Sequence, residues 1–510
     1  MSLKSLSHWE FGMSRLNRLY FVVIAAIALC TPLAQAGLRE DVDRLIRSAA
    51  LKGGTVAVSI RETATSAPLV SVNADLPMTP ASNMKLLTSG AALHALGAEF
   101  EFSTRLIQSG DRLIVVGDGD PAFGDPELLK QMAVGSARGV DVEAFLNFWV
   151  KAVVDAGIKN VSEVIVDDRI FDREVSLKTW PGDEPNRYCP QIAGLNFYGN
   201  VVEFLPRPRK GQTPAIGDSR PAAPWLKIAN MATCRDGAND KNDLWIARKA
   251  GTNDFTFRGN VRFAYRAPVP VNVHDVPEFF AHVLAHRLER AGVSVGGFRT
   301  SDPNEPPSTG KPIGPAICTP ISTVLTRCNQ NSDNLYAESL VKRIGYALTG
   351  EPGSWTNGTA IVRHIIHQRL NDPALVSGIV VVDGSGLSAD NKVTARTLTA
   401  WLDSLVNDPK LGSIFVDSLA VAGQSGTLNK RMNSASMRGV IVQAKTGYIN
   451  QVSCLSGFVT TPDGRRRSFS VLVNNLKDGG TVSLAKKLQD QIVTAIAEDM
   501  AETAVTLGSD

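Results

Sequence analysis

The chain has 510 residues, beyond the roughly 100–200 of one ordinary domain, so two to four domains are expected. With 44% hydrophobic and 20% charged residues the composition is globular, which excludes a disordered, collagen-like or coiled-coil chain. Fifty-three Lys and Arg against 50 Asp and Glu leave +3 with no long single-sign run, so no nucleic-acid partner is expected.

The first segment speaks for export. Lys4, Arg15 and Arg18 precede the apolar run Tyr20 to Cys30, and Ala34-Gln35-Ala36 follows. A basic start, a short apolar run and an A-x-A site predict a cleaved signal peptide over residues 1–36 and a periplasmic location. The apolar run falls short of the ~18 residues that suggest a membrane span, so membrane association is expected to be loose at most. Five cysteines follow it: Cys189, Cys234, Cys318, Cys328 and Cys454. An odd number leaves at least one thiol unpaired. Cys328 and Cys454 sit in apolar patterns and read as small buried hydrophobes, whereas Cys189 and Cys234, in loop-like sequence, are a candidate pair.

In chain order, Thr55–Glu62 and Pro68–Val72 read as a strand hairpin. Pro80 introduces a helical run from Ser82 to Leu96, stopped by Gly97. Arg112–Val116 reads as a strand, Val142–Ala156 as a helix and Glu163–Val166 as a strand. Residues 205–242, rich in Pro, Gly and charge, look like a surface insertion. A strand over Asp254–Phe263, a helix over Val276–Ala291 and a linker over Pro303–Pro315 come next. Val440–Ala444, Ser453–Thr460 and Phe469–Val473 are strand-like, and an amphipathic helix covers Val482–Ala497. Five strands gathered from the two ends predict an antiparallel sheet flanked by helices, an α/β (α+β) domain.

Seven histidines occur, but no G-x-S-x-G elbow goes with them, and His282 and His286 lack the Glu of H-E-x-x-H. No C-x-x-C and no Walker loop is present, so neither metal nor cofactor is expected. A serine can instead be activated by a lysine. Ser82-Asn83-Met84-Lys85 puts hydroxyl and amine three apart, on one face of a helix. A buried lysine beside other cations loses pKa and can take the hydroxyl proton. Ser-x-x-Lys alone is weak evidence, since it also starts at Ser308, Ser339 and Ser483. What distinguishes Ser82 is the company it keeps: Ser332-Asp333-Asn334 before a helix, then Lys445-Thr446-Gly447 at the end of a strand. Ser332 offers a proton relay, Asn334 can hold Lys85 and a substrate amide, and Lys445 attracts a substrate carboxylate. Thr446 and Gly447 let substrate backbone lie along the strand edge, and the N–H groups of Ser82 and Tyr448 suit an oxyanion hole.

These motifs belong to the penicillin-binding proteins and serine β-lactamases. Pro80 to Leu86, Asn331 to Glu338 and Asp383-Gly384-Ser385-Gly386-Leu387-Ser388 resemble the class C low-molecular-mass penicillin-binding proteins. Gly426-Thr427-Leu428 with Arg431, and Gly119-Asp120-Pro121, fit the same family. The resemblance implies a serine D-alanyl-D-alanine carboxypeptidase and endopeptidase. Its substrates would be peptidoglycan stem peptides and its covalent inhibitors β-lactams. It also implies a penicillin-binding transpeptidase/β-lactamase-like domain, here residues 37–97 and 310–510, interrupted by two inserted domains. Those are expected at 98–120 with 200–309, and at 121–199. Tyr448 departs from the family, which usually has Thr or Ser there to hold the substrate carboxylate. The alternatives are a β-lactamase and a non-catalytic wall-binding scaffold. Against the first, Glu338 and Glu351 are followed four residues later by Lys342 and Trp355, not by the Asn that positions a deacylating water in class A enzymes.

Overall fold

The structure, a computed structural model, describes residues 37–134, 137–180, 187–235, 241–433, 437 and 439–507. The expected signal peptide at 1–36 lies outside the described residues. A helix over residues 37–48 (α1) leads into the hairpin of Thr55–Glu62 (β1) and Pro68–Val72 (β2), with Val58 opposite Val72 and Ile60 opposite Val70. Pro80 is followed by a tight 3-10 turn, Ala81–Asn83, and then the helix Met84–Leu96 (α2). Every residue of α2 from Met84 to Leu93 is buried, so this helix runs through the core rather than along the surface.

The chain then leaves to build a second unit. Glu101–Ser109 (β3) and Arg112–Val116 (β4) form a hairpin, and after the helix Val142–Asp155 (α3) the strand Val164–Asp167 (β5) joins β4 in parallel. Val201–Phe204 (β6) precedes a three-stranded sheet of Ile228–Asn230 (β7), Trp245–Arg248 (β8) and Phe255–Arg258 (β9), with β9 central. The strand expected over Asp254–Phe263 stops at Arg258 because Gly259, at φ 95°, turns the chain away. Val269–Asn272 (β10) returns to pair with β6. The helix Val276–Arg290 (α4), capped by Asp275 accepting from Glu278 N, packs on β5 and on Phe298–Thr300 (β11). Edge-to-face contacts of Phe123 with Phe145 and Phe280 knit this core.

The return segment supplies Ile321–Gln330 (α5), Asn334–Thr349 (α6), Trp355–Leu370 (α7) and Ala395–Val406 (α8). Ala420–Val421 (β12), Ile441–Ile449 (β13), Val452–Thr460 (β14), Arg466–Asn474 (β15) and the helix Gly479–Leu507 (α9) complete the chain. The main sheet runs β12-β13-β14-β15-β1-β2 and is antiparallel throughout. It has six strands where five were expected. The sixth, β12, is two residues long, too short to carry a pattern of its own. Alternation along the strands buries both faces: Val56, Val58, Val471 and Val473 pack with the α1 and α9 side, Ala57 and Leu472 with α2, α6 and α8.

Two further expectations need correction. Lys445-Thr446-Gly447 lies inside β13 and not at its end, because pairing with β14 continues to Ile449 opposite Val452. Cys189 and Cys234 form no disulfide with each other. Cys234 Sγ accepts from Arg209 N at 3.3 Å beside the three-stranded sheet, while the Cys189 carbonyl accepts from Asn272 on β10. Cys328 and Cys454 are buried, as expected. Among the described residues no helix is long and apolar enough to cross a membrane.

One close approach sets the position of α2. Trp401 Nε1 on α8 donates to the Leu86 carbonyl at 2.9 Å, and a Cβ on Gly90 would come within 2.5 Å of Leu405 and 2.8 Å of the Trp401 ring. Gly90→Val is therefore expected to push α8 off α2 and to cost about 1–3 kcal/mol. A denaturant midpoint equal to that of the unmodified protein would contradict this.

Candidate active site

Three separated segments converge at the start of α2. Ser82 lies on the 3-10 turn and Lys85 one turn into the helix, with Ser82 Oγ 3.3 Å from Lys85 Nζ. The amine donates to Asn334 Oδ1 at 2.6 Å and to the Ser385 carbonyl at 2.9 Å. Lys85 is fully buried, and that burial pushes its pKa below the ordinary 10.5. Asn334 and Ser385 accept two of the amine's N–H groups, and its remaining tetrahedral position faces the Ser82 hydroxyl.

Opposite this pair stand Ser332 and Lys445. Lys445 Nζ, on β13, donates to Ser332 Oγ and to the Thr446 carbonyl, each at 2.8 Å. Burial, and then the nearby Lys85 charge, push Lys445 well below its ordinary value. Thr446 Oγ1 donates to Thr427 Oγ1 at 2.9 Å. Tyr448 follows on the strand with its ring 58% exposed and Lys486 Nζ 5.6 Å from the ring centre. Beyond Ala444 the edge of β13 away from β14 has no strand partner among the described residues, since β12 pairs only with Gln443 and Ala444. An extended peptide can add there.

The eight residues singled out in the sequence thus come together, and others complete the site. Asn83 ties the nucleophile turn to the sheet: its Nδ2 donates to the Lys445 carbonyl at 2.9 Å and its Oδ1 accepts from Ser456 at 2.7 Å. Gly447 fits because a Cβ would stand 2.8 Å from the Pro80 carbonyl. The Asp383–Ser388 loop presents the Ser385 carbonyl to Lys85. Asp383 holds that loop by accepting from Gly386 N, Ser388 N and Asn391, and from Trp180 of the second unit at 2.9 Å. Glu338 accepts from Gly384 N, Ser385 N and Trp355 Nε1 at 2.7–2.9 Å. Burial, followed by the Asp383 charge, pushes Glu338 up to about 7. The only sequence signal for Glu338 and Asp383 was their place beside the motifs. Tyr188 gave none, yet its carbonyl accepts from Asn334 Nδ2 at 2.7 Å, bringing the second unit to the site's rim.

Two residues beside the reacting groups sit in the left-handed region. Ala81 precedes the nucleophile at φ 47°, and Ser332 itself has φ 60°. Such conformations cost on the order of 1–3 kcal/mol each and persist only where surroundings impose them. Here they aim two hydroxyls into one space. Among the described residues no cluster of His, Cys, Asp and Glu could hold a metal ion.

A hydroxyl beside a desolvated amine, a second hydroxyl on a second lysine and an open strand edge stand together beside the main sheet, whose fold is that of a penicillin-binding protein. Residues 38–498 match the D-Ala-D-Ala carboxypeptidase 3 (S13) family, and the chain belongs to it, among the class C low-molecular-mass penicillin-binding proteins. A D-alanyl-D-alanine carboxypeptidase from Actinomadura sp. (strain R39) is 33% identical over 485 residues, covering 90% of this chain and 84% of its relative. D-alanyl-D-alanine carboxypeptidase DacB of Haemophilus influenzae is 23% identical over 438 residues, 80% of this chain and 83% of that one. The crystal structure of penicillin binding protein 4 (dacB) from Haemophilus influenzae shares the fold, with a TM-score of 0.70 and 21% identity. It covers 88% of this chain and 99% of that one.

Two outcomes follow from the geometry. If Lys85 is the base, penicillin acylation rises with pH through a limb below 10.5 and is flat above it. The limb persists in Lys445→Arg, whose guanidinium does not titrate. A limb at the free-lysine value would refute the assignment. Glu338→Ala leaves the Gly384 and Ser385 N–H groups buried without acceptors, at a cost of about 1–3 kcal/mol each. Thermal unfolding and acylation rate are both expected to fall.

Proposed function

We propose that the protein is an exported serine D-alanyl-D-alanine carboxypeptidase and endopeptidase that acts on peptidoglycan through an acyl-enzyme on Ser82. The observation that carries this reading is the Ser82–Lys85 pair at 3.3 Å with the amine fully buried and two of its N–H groups engaged. In the proposed reaction Ser82 Oγ attacks the carbonyl of the penultimate D-alanine while its proton passes to Lys85 Nζ. The oxyanion is held by the N–H groups of Ser82 and Tyr448. The leaving amine takes a proton through Ser332, which Lys445 contacts. Water then cleaves the ester, with the proton returning to Ser82.

The terminal carboxylate of the substrate faces Lys445. Its negative charge would oppose the lowering of the Lys445 pKa that burial causes. Thr446 and Thr427, with hydroxyls 2.9 Å apart, supply side-chain contacts in place of the hydroxyl that Tyr448 lacks at its own backbone position. Endopeptidase action is the same chemistry with a cross-linked peptide amine as leaving group. The division of the chain into a catalytic domain, 37–97 with 310–510, and inserted residues 98–309 belongs to this reading. It is supported by a hydrophobic cluster whose buried members, Ile313 apart, fall between Leu106 and Val293.

β-Lactams are proposed as covalent inhibitors and not as substrates turned over rapidly. Glu338 is committed to three N–H donors and is not free to activate water. Incubation with penicillin is expected to leave a long-lived adduct on Ser82, visible by mass spectrometry. Ser82→Ala should form none and should lose D-alanine release by roughly 10³-fold or more. Equal release by both proteins would sink the proposal, and rapid penicillin turnover would refute its inhibitor part.

A further inference from the structure

One segment of the inserted unit carries charge out of proportion to the chain. Residues 205–268 hold 12 Lys and Arg against 5 Asp and Glu, a net of +7, in a chain whose total is +3. Part of this charge surrounds one cavity of about 810 Å³. The segment after β6 doubles back on itself. Glu203 and Arg220 exchange backbone hydrogen bonds at 2.8 and 2.9 Å, and so do Arg207 and Ala215. This hairpin brings Arg207, Arg209 and Arg220 to the cavity, and Arg290, at the last position of α4, supplies a fourth guanidinium.

All four arginines are exposed, and none forms an ion pair among the described residues. Two carboxylates also line the cavity, Glu143 and Asp218. Glu143 is already committed: it accepts from Ala222 N at 3.0 Å and from the buried Arg287, whose Nη1 also donates to the Ala222 carbonyl at 3.4 Å. Four cations therefore face one uncommitted carboxylate. Like charges lining one cavity repel one another, and an entering anion relieves that repulsion. The planar fork of arginine suits carboxylate and phosphate oxygens.

We propose that this cavity is a second contact for the cell wall, taking carboxylates of stem peptides other than the one being cleaved. The inference rests on the peptidoglycan reading above and extends it. Asp218 in the same wall favours a ligand that carries an amine beside its carboxylates, as stem peptides do, over a phosphate polymer. None of the catalytic residues lines the cavity, so the two contacts engage different points of one polymer. Linking them raises apparent affinity without altering cleavage of a small peptide.

Binding of the full chain, carrying Ser82→Ala to prevent turnover, to insoluble peptidoglycan tests this. Arg207→Glu with Arg220→Glu and Arg290→Glu is expected to weaken binding by about tenfold or more. In the Ser82 background the same changes leave D-alanine release from a soluble D-Ala-D-Ala peptide within about twofold. Lys249→Glu with Arg258→Glu and Arg266→Glu, outside the cavity, removes the same charge and should bind as before. Peptidoglycan whose carboxylates have been amidated should bind the unmodified cavity as weakly as native peptidoglycan binds the altered one. If the Glu variant does not fold, Arg→Gln at the same three positions is read by the same criteria. Unchanged binding, or equal loss in the control variant, overturns the proposal. So does retention on amidated peptidoglycan with loss after phosphate polymers are stripped. Absence of D-alanine release by the unmodified enzyme would instead refute the catalytic reading, while the binding comparison still decides the cavity.

Discussion

The burial of one amine organises this protein. Lys85 is taken fully out of water, which lowers its pKa, and a desolvated lysine is tolerable only where its hydrogen-bonding capacity is met. The acceptors that meet it come from Asn334 and Ser385, 249 and 300 residues further along the chain. The Ser82–Lys85 pair is therefore assembled only when α2, the start of α6 and the Asp383–Ser388 loop are packed together. On the proposed mechanism, folding and catalytic competence are one condition.

Much of the surrounding structure serves that junction. Glu338 and Asp383 spend their oxygens on backbone N–H groups of the loop, and Gly386 lets it pass close to the nucleophile turn, where a Cβ would stand 1.8 Å from the Ala81 carbonyl. Asn83 joins the same turn to β13, so the helix carrying Ser82 and the strand carrying Lys445 keep a fixed relation. The second unit is coupled to this arrangement as well. Trp180 donates to Asp383, Tyr188 accepts from Asn334, and Lys342 on α6 donates to Asp172 at 2.5 Å. A long insertion thus acts as a wall of the site on one side, while its basic cavity faces elsewhere.

Most of the main sheet and the residues that converge on the candidate site were legible in the sequence. Regular apolar patterns marked β1, β2, β14, β15 and α9, and the Ser82, Ser332 and Lys445 motifs pointed to one kind of chemistry. What escaped is local in a different sense. Two-residue β12 has no pattern to read, and β13 runs on through Lys445-Thr446-Gly447 because strand pairing, not composition, decides where it ends. Cys189 and Cys234 share a loop-like context but sit in different surroundings, one against β10 and the other against the Arg209 backbone. Glu338 and Tyr188 act through hydrogen bonds to partners distant in the chain, which no spacing rule records.

By itself the sequence singled out the proposed reacting groups, because Ser-x-x-Lys, Ser-Asp-Asn and Lys-Thr-Gly place functional atoms at short range, where chain connectivity alone fixes their separation. It also determined that a long stretch must intervene between them. Only the tertiary structure decided the protonation preference of Lys85, the proton-sharing partners of Lys445 and the gathering of Arg207, Arg209, Arg220 and Arg290 around one cavity. Those properties depend on burial and on distances between remote segments. Desolvation and Coulomb energy arise only after the chain has closed around the charge.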